Sequence, residues 1–483
     1  MADSTYEKPF LTVEQQIDQI KQRGMKIGSR DDARNALRRI GYYRLSGYWH
    51  PDRVPAGPGE KRASEFLPNT RLSDVLDLYA FDEQLRAALL EAIAQIEVAL
   101  RFELGHPLGR NGPFAHLDDS HFNSGFTKLR DRVCKLPGCD GDCRWEESDH
   151  HEWVDRQRQT EQVSTEAFAA HFRENYGEPL PIWVATETMS FGRLTRLLDG
   201  LDSAERELLA AEWDVIDSTG QGDPSVLSNW MEHLRQVRNI CAHHARIWNR
   251  NINATIAVPS GMPELQHLLL EVPRGDEYTP PMVRRIYGTF VILTHLLAVI
   301  EAPVRYRDRL RTLLTGFLAA RPQAEANMGF PVGWQAHRIM AEDYRRDQQR
   351  AARLAMLRAI EMFGSGEAAD ALSAVPEGKP RRSRVNYYRK NGALLSVMWN
   401  ARRAYPAFQF DPATGVVPEL VVLANRRLLD GGNVNDDGHW AALEWWLTPN
   451  TSLPDETSPA EAMGTGALTR DALDRLLPPR DDE

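Results

Sequence analysis

The sequence predicts a mainly α protein: a helical bundle with additional helices, followed by a small, mostly helical C-terminal domain. Three observations lead there. Leu72 to Leu104 keeps Leu76, Leu78, Leu85, Leu89, Ile93, Ile96, Leu100 and Leu104 on or near one stripe, with no proline inside. Asp223–Pro224 opens a second long periodic segment with an N-cap residue followed by proline at the first helical position. Alternation of the strand type is scarce throughout.

In chain order, Thr12 to Gly24 repeats Val13, Ile17 and Ile20 at helical spacing, and a second helix is expected from Asp31 to Ile40. The long Leu72–Leu104 stripe requires partner helices. From Asn111 to Thr165 the pattern gives way to Gly, Pro, Asp, His and Cys, which reads as a loop-rich excursion. Helical periodicity returns at Thr165–Tyr176, Ile182–Leu201, Ala204–Trp213, Pro224–Trp248 and Pro281–Ile300. The apolar run Ile286–Ile300 is too short to span a bilayer and reads as a buried core helix. A charged stretch, Glu342–Arg353, leads through Gly364–Gly366 into a differently composed C-terminal third, where Ser458–Met463 and Thr469–Leu477 look like short capped helices. The boundaries expected are 1–345 for the helical body (with the excursion at 111–165), 346–380 for a linker region and 381–483 for the last domain.

A length of 483 residues suggests roughly two to four domains. With 42% hydrophobic and 26% charged residues the chain has the balance of a soluble globular protein. Its formal charge of −10 means that any nucleic-acid partner must meet a local basic patch. The four cysteines and the polar start MADSTYEKPF fit a reducing cytoplasm, with no membrane partner expected.

The chemistry concentrates in DPSVLSNWMEHLRQVRNICAHHARIWNR, Asp223 to Arg250. On a helix, Trp230, Leu234, Val237, Cys241 and Trp248 form one stripe, and Arg235, Asn239, His243, Arg246 and Arg250 form another. Asn239 and His243 are four apart and share a face, and Arg238 can bend toward them. His244 is expected nearer the apolar side. An imidazole beside a guanidinium suits RNA cleavage: His exchanges a proton near neutral pH and Arg holds phosphate charge. The residues alone fit a structural His/Arg pair as well. Arg followed by His at similar spacing also occurs at Arg44–His50 and Arg101–His106.

The RNxxxH spacing of Arg238, Asn239 and His243 resembles the signature of HEPN domains. Three further stretches resemble abortive-infection (Abi) proteins of the AbiD/AbiF type: IGYYRLSGYWHP at Ile40–Pro51, LYAFDEQLRAALLEAIAQIEVALR at Leu78–Arg101, and PIWVATETMSFGRLTRLL at Pro181–Leu198. The resemblance implies a HEPN-like bundle and a metal-independent endoribonuclease acting in phage defence. It also implies a homodimer in which two copies of Arg238, Asn239 and His243 face one another, an RNA substrate and no cofactor. The alternative is a non-catalytic RNA- or protein-binding regulator of a toxin–antitoxin or defence system.

Supporting roles are expected for His244 and for Glu97 and Arg101, an i,i+4 pair. Tyr43, Arg44, Arg235, Arg246 and Arg250 are candidate RNA contacts, although a packing cluster also explains the aromatic-rich Tyr42–Trp49 motif. No metal is expected. Cys134, Cys139 and Cys143 with His150 could offer four zinc ligands, but CxxC spacing is absent and free thiols are the plainer reading. In the last third, YPAFQFDPATGVVPEL and WWLTPNTSLPDETSPAEAMGTG resemble the toxin-binding domain of Xre/MbcA/ParS-type antitoxins. That resemblance implies a module for a protein partner, with a degenerate helix-turn-helix region before it.

Overall fold

The computed structural model describes residues 9–55, 62–134, 139, 143–270, 282–341, 344, 348–372, 381–399, 402–432 and 434–479. It is mainly helical. The helices are α1 (Val13–Gln22), α2 (Arg30–Ile40), α3 (Tyr42–Trp49), α4 (Leu72–Arg110), α5 (Ser124–Thr127), α6 (Asp149–Val163), α7 (Ala167–Tyr176), α8 (Ile182–Thr188), α9 (Phe191–Gly200), α10 (Ser203–Glu212) and α11 (Pro224–Ala242). They continue with α12 (Ile286–Val299), α13 (Arg305–Ala320), α14 (Pro322–Met328), α15 (Gln348–Ala359), α16 (Ser365–Ala371), α17 (Arg381–Lys390), α18 (Glu419–Leu428), α19 (Asp436–Leu447), α20 (Pro459–Thr465) and α21 (Arg470–Leu476). The strands are β1 (Leu129–Val133), β2 (Arg144–Ser148), β3 (Met362–Phe363), β4 (Val397–Trp399) and β5 (Arg402–Pro406).

Two compact units divide the chain: Met1–Gly200, Ser228–Val258 and His267–Tyr344 make the first, and Leu201–Leu227, Pro259–Gln266 and Arg345–Glu483 the second. In the first, α4 is the spine. It runs 39 residues and packs against α3, α8, α9, α12 and α13, which is why apolar side chains occupy several of its faces. Close approach to α8 depends on two glycines. A Cβ at Gly105 would stand 3.2 Å from Thr186 Oγ1, and one at Gly109 would stand 3.0 Å from the Trp183 ring. All fourteen residues of α12 are buried, as its apolar run predicts, and the Gly288, Thr289, Thr294 and His295 that interrupt the run are buried with it. Among the described residues no helix is long and apolar enough to cross a membrane.

The loop-rich reading of Asn111–Thr165 needs correcting. β1 and β2 pair there as an antiparallel hairpin, Leu129 opposite Ser148, and α6 follows directly, capped by the Ser148 hydroxyl, which accepts from His151 N at 3.0 Å. The helix escaped notice because half of its buried face is polar. His150, Gln157 and Glu161 are buried beside Trp153 and Val154. Their hydrogen bonds explain how: Gln157 Nε2 donates to Glu161 Oε1 and Thr188 Oγ1, both at 2.8 Å, and Glu161 accepts from Leu180 N at 3.3 Å. Burial pushes the Glu161 carboxyl above its ordinary value.

In the second unit, β3–β5–β4 forms a small antiparallel sheet against α16–α21, around Leu394, Leu395, Val421, Leu443, Trp446 and Leu473. A buried polar chain connects the YPAFQF and WWL segments. Trp446 Nε1 donates to Asn425 Oδ1 at 2.9 Å, Asn425 Nδ2 to Gln409 Oε1 at 2.9 Å, and Gln409 also accepts from Leu395 N at 2.7 Å. Ser458 and Thr469 cap α20 and α21. Glu212 of α10 pairs with Arg358 of α15, so part of the earlier sequence folds with the C-terminal residues.

Within the first unit, residues 254–257 return alongside α11. Asn229 brackets them, donating to Thr255 O at 2.9 Å and accepting from Ala257 N at 2.7 Å, while Trp230 Nε1 donates to Ala257 O at 2.8 Å. His233 sits between: Nδ1 donates to Ala254 O at 2.6 Å and Nε2 accepts from Thr289 Oγ1 at 2.8 Å. Burial lowers its pKa to about 4 and keeps the imidazole neutral. A depressed folded-state value stabilises the fold above the unfolded value near 6.5 and loses that stabilisation as pH falls toward 4, at roughly 1.4 kcal/mol per unit. Denaturation at fixed temperature from pH 7 to pH 4 should therefore show a steeper loss for the native protein than for His233→Gln. Equal slopes would mean that His233 is not held neutral.

Candidate active site

α11 begins where its sequence says, with the Asp223 carboxylate accepting from Val226 N at 3.1 Å. Leu227, Trp230, Met231, Leu234, Val237 and Cys241 bury its apolar stripe. It ends earlier than the periodicity predicts. His244 N donates to Cys241 O and Ala245 N to Ile240 O, both at 3.0 Å, and His244 takes a left-handed φ of 55°. This is the paired hydrogen-bond pattern of a Schellman cap, with histidine in the position that glycine usually fills. The expected helix to Trp248 therefore stops at Ala242. Arg246 and Arg250 leave the polar stripe, and His244, expected near the core, is exposed.

What the cap leaves together is Arg238, Asn239 and His243. His243 occupies the C-cap, its N–H donating to Asn239 O at 3.0 Å and its side chain exposed. Arg238, half-buried, donates through Nη1 to Asn239 Oδ1 at 3.4 Å. Arg235 is committed locally: its guanidinium forks onto Glu232 at 2.6 and 2.7 Å and holds that carboxyl below the usual range.

Beyond the cap the chain is fastened by a buried carboxylate. Asp82, fully buried in α4, accepts from Ile247 N at 3.1 Å and Trp248 N at 2.8 Å on one oxygen. Its other oxygen accepts from Tyr48 Oη at 2.6 Å and from Arg86. Burial pushes the Asp82 carboxyl and the Tyr48 hydroxyl above their ordinary values. Two arginines complete the fastening: Arg44 of α3 donates to His244 O, and Arg246 donates to Gly47 O of α3. The aromatic-rich Tyr42–Trp49 motif is thereby explained as packing, with Tyr48 and Trp49 buried and Tyr43 exposed.

The remaining candidates fall elsewhere. Glu97 and Arg101 pair at 2.8 Å, and Arg101 also donates to Met189 O at 3.0 Å, fixing the turn before α9. Arg250 is exposed. Cys134 and Cys143 face one another at the hairpin end, Cys134 N donating to Cys143 O at 3.0 Å, and both are free thiols. Residues 135–138 and 140–142 between them lie outside the described set. His150 does not join a cysteine set. It is buried, one ring nitrogen on Asp119 and the other on His116 O at 2.9 Å, because α6 carries it inward. Asp119, His150 and His151 do bring ligand-type atoms within 4.8 Å of one another, with both His150 nitrogens already engaged.

Sequence reasoning missed Asp82 and Arg86. A signal was present: a carboxylate and a guanidinium four apart, set into a helix whose neighbours Phe81, Leu85 and Leu89 are apolar.

Fold and site together define a helical protein carrying an Arg–Asn–His cluster at a sharply terminated helix end. Residues 35–249, which contain Arg238, Asn239 and His243, match the model of the family described as Abi-like protein, and the chain is similar to that family over this stretch. No curated protein and no solved structure matches the chain.

Two outcomes follow from this geometry. Asp82→Ala strands a buried guanidinium and two amide N–H groups, so urea denaturation should show a loss of about 3–5 kcal/mol, against about 1.5 kcal/mol for Tyr48→Phe. Equal small losses would contradict the anchoring role. His244→Gly relieves the left-handed strain and should hold or raise stability by up to about 1 kcal/mol. A clear fall in melting temperature would restore the packing role for His244.

Proposed function

We propose that this protein is a metal-independent endoribonuclease of abortive-infection phage defence, with Arg238, Asn239 and His243 as its catalytic centre. The observation that carries the reading is the contrast between the two histidines that α11 positions, one in its middle and one at its C-cap. His233 is buried and spent on Ala254 and Thr289, whereas His243 is exposed at the C-cap, a turn beyond Arg238 and Asn239. The Abi-like match over 35–249 supports it.

In this chemistry the 2′-hydroxyl of RNA attacks the adjacent phosphorus in line and expels the 5′-oxygen. His243 exchanges the proton that must leave the nucleophile or reach the leaving group. Arg238 meets the charge growing on the phosphoryl oxygens, and Asn239 steadies its guanidinium. The products are a 2′,3′-cyclic phosphate and a 5′-hydroxyl. One chain supplies one such set, so we assign the working form to a homodimer with two sets facing. His244, Tyr43 and Arg250, all exposed, are assigned supporting contacts to RNA in this reading. Residues 381–483 serve as a binding module for a protein partner.

Purified protein incubated with RNA in EDTA tests the centre. Native enzyme should cut and leave cyclic or 3′-phosphate ends, and His243→Ala and Arg238→Ala should each fold normally and lose at least about 100-fold in rate. A magnesium requirement with 5′-phosphate ends, or native rates in either variant, would overturn the assignment.

A further inference from the structure

A second arginine-rich feature lies in the first unit, outside the proposed catalytic set. A cavity of about 500 Å³ is lined by Glu152, Trp153, Arg156, Ser190, Gly192, Arg193 and Arg196. It opens between α6 and the start of α9. Its charge is unbalanced: Arg156 leans on Glu152 at 2.6 Å and Arg196 on Asp149 at 3.7 Å, but the same two carboxylates also hold Arg132 at 3.3 and 2.5 Å, and Asp149 holds Arg130 at 3.4 Å. Arg193 has a neutral neighbour, donating to Gln157 Oε1 at 3.4 Å. Burial and the nearby Arg156 both disfavour its charge. Four guanidiniums therefore share the two carboxylates, and Arg193, with Glu161 nearby, adds a fifth beside the cavity, a surplus of positive charge that an anion would fill.

The cavity wall sets position and access. Ser190, whose carbonyl accepts from Arg193 N at 2.8 Å and Leu194 N at 3.1 Å, sets the start of α9 and so the position of Arg193 at the cavity. Gly192 presents no side chain to the cavity. The position its Cβ would take lies 3.5 Å from Arg235 Cδ, so the cavity adjoins α11 one turn before Asn239.

We propose that this cavity is a phosphate subsite that grips the RNA backbone at a nucleotide away from the scissile bond, Arg193 and Arg156 being its principal ligands. The proposal rests on the reading of RNA as substrate and specifies where the strand lies: from the catalytic end of α11, past Arg235, to the α6–α9 cleft. Arg235, already neutralised by Glu232, acts as a wall between the two sites rather than as a ligand. Bidentate guanidinium contacts to phosphate explain why arginine, and not lysine, lines the cleft.

Binding of a fluorescent 2′-O-methyl RNA oligonucleotide to the full-length protein, followed by anisotropy across a potassium chloride series, tests this without cleavage, because the blocked 2′-oxygen cannot attack. Arg193→Gln and Arg156→Gln should each weaken binding about tenfold or more and lower the salt slope by about 1, the signature of one lost phosphate contact. Arg305→Gln, at an exposed arginine on α13, should bind as the native protein does. If Arg193→Gln fails to fold by circular dichroism, the exposed Arg196→Gln carries the same expectation. Native affinity and slope in the cleft variants would overturn the subsite. So would Arg193-dependent binding of inorganic phosphate or of a phosphoserine peptide by a protein that does not bind the oligonucleotide. The catalytic reading fails separately: His243→Ala cutting RNA at the native rate removes the centre but leaves an Arg193-dependent binding result standing.

Discussion

Asp82 supplies the constraint on which the arrangement of the candidate site depends. A single carboxylate, wholly buried in the first third of α4, accepts two backbone N–H groups from the segment after α11, a tyrosine hydroxyl from α3 and a guanidinium from its own helix. Removing a charge from water is costly, and it is sustained here because each oxygen has two donors. The return is positional. Ile247 and Trp248 cannot be buried in register unless α11 has already stopped, which obliges the chain to turn at His244 and leaves His243 exposed at the C-cap. Arg44 and Arg246, each donating to a carbonyl of the other's segment, close the same joint from both sides. Arginines that sequence reading assigns to RNA are in part fold fasteners.

Much of the helical layout was legible because apolar periodicity is a direct consequence of burial. The stripe from Leu72, the fully buried α12 and the Asp223–Pro224 start of α11 are found where the pattern places them. Two features were hidden for specific reasons. α6 buries Gln157, Glu161 and His150 with their hydrogen bonds satisfied, so its inner face carries little hydrophobic signal. The end of α11 is set by a histidine in a conformation typical of glycine, and a pattern of residue types gives no warning of it. The helical spacing of Arg238, Asn239 and His243 survived that error because all three precede the turn. Arg246 and Arg250 did not, and the reason is the cap, which breaks the spacing on which the extended stripe relied.

Polar burial recurs as the organising device in both units. Each instance ties a helix to an irregular segment that cannot satisfy its own backbone: Asn229 and His233 to residues 254–257, Asp82 to residues 247–248, and Asn425 with Gln409 to Leu395. Loops held in this way behave as parts of the scaffold. That suits a candidate site at a helix end, where precision comes from what clamps the next few residues.

Amide hydrogen exchange over the peptide containing Ile247 and Trp248, followed by mass spectrometry on the full chain, tests the central claim most directly. If Asp82 holds this turn, the two amides should exchange as slowly as those in the middle of α4, through global unfolding alone, and Tyr48→Phe should quicken them more than it quickens α4. Exchange as fast as at the exposed Arg250 would show that the turn opens independently, and that Asp82 does not fix the end of α11.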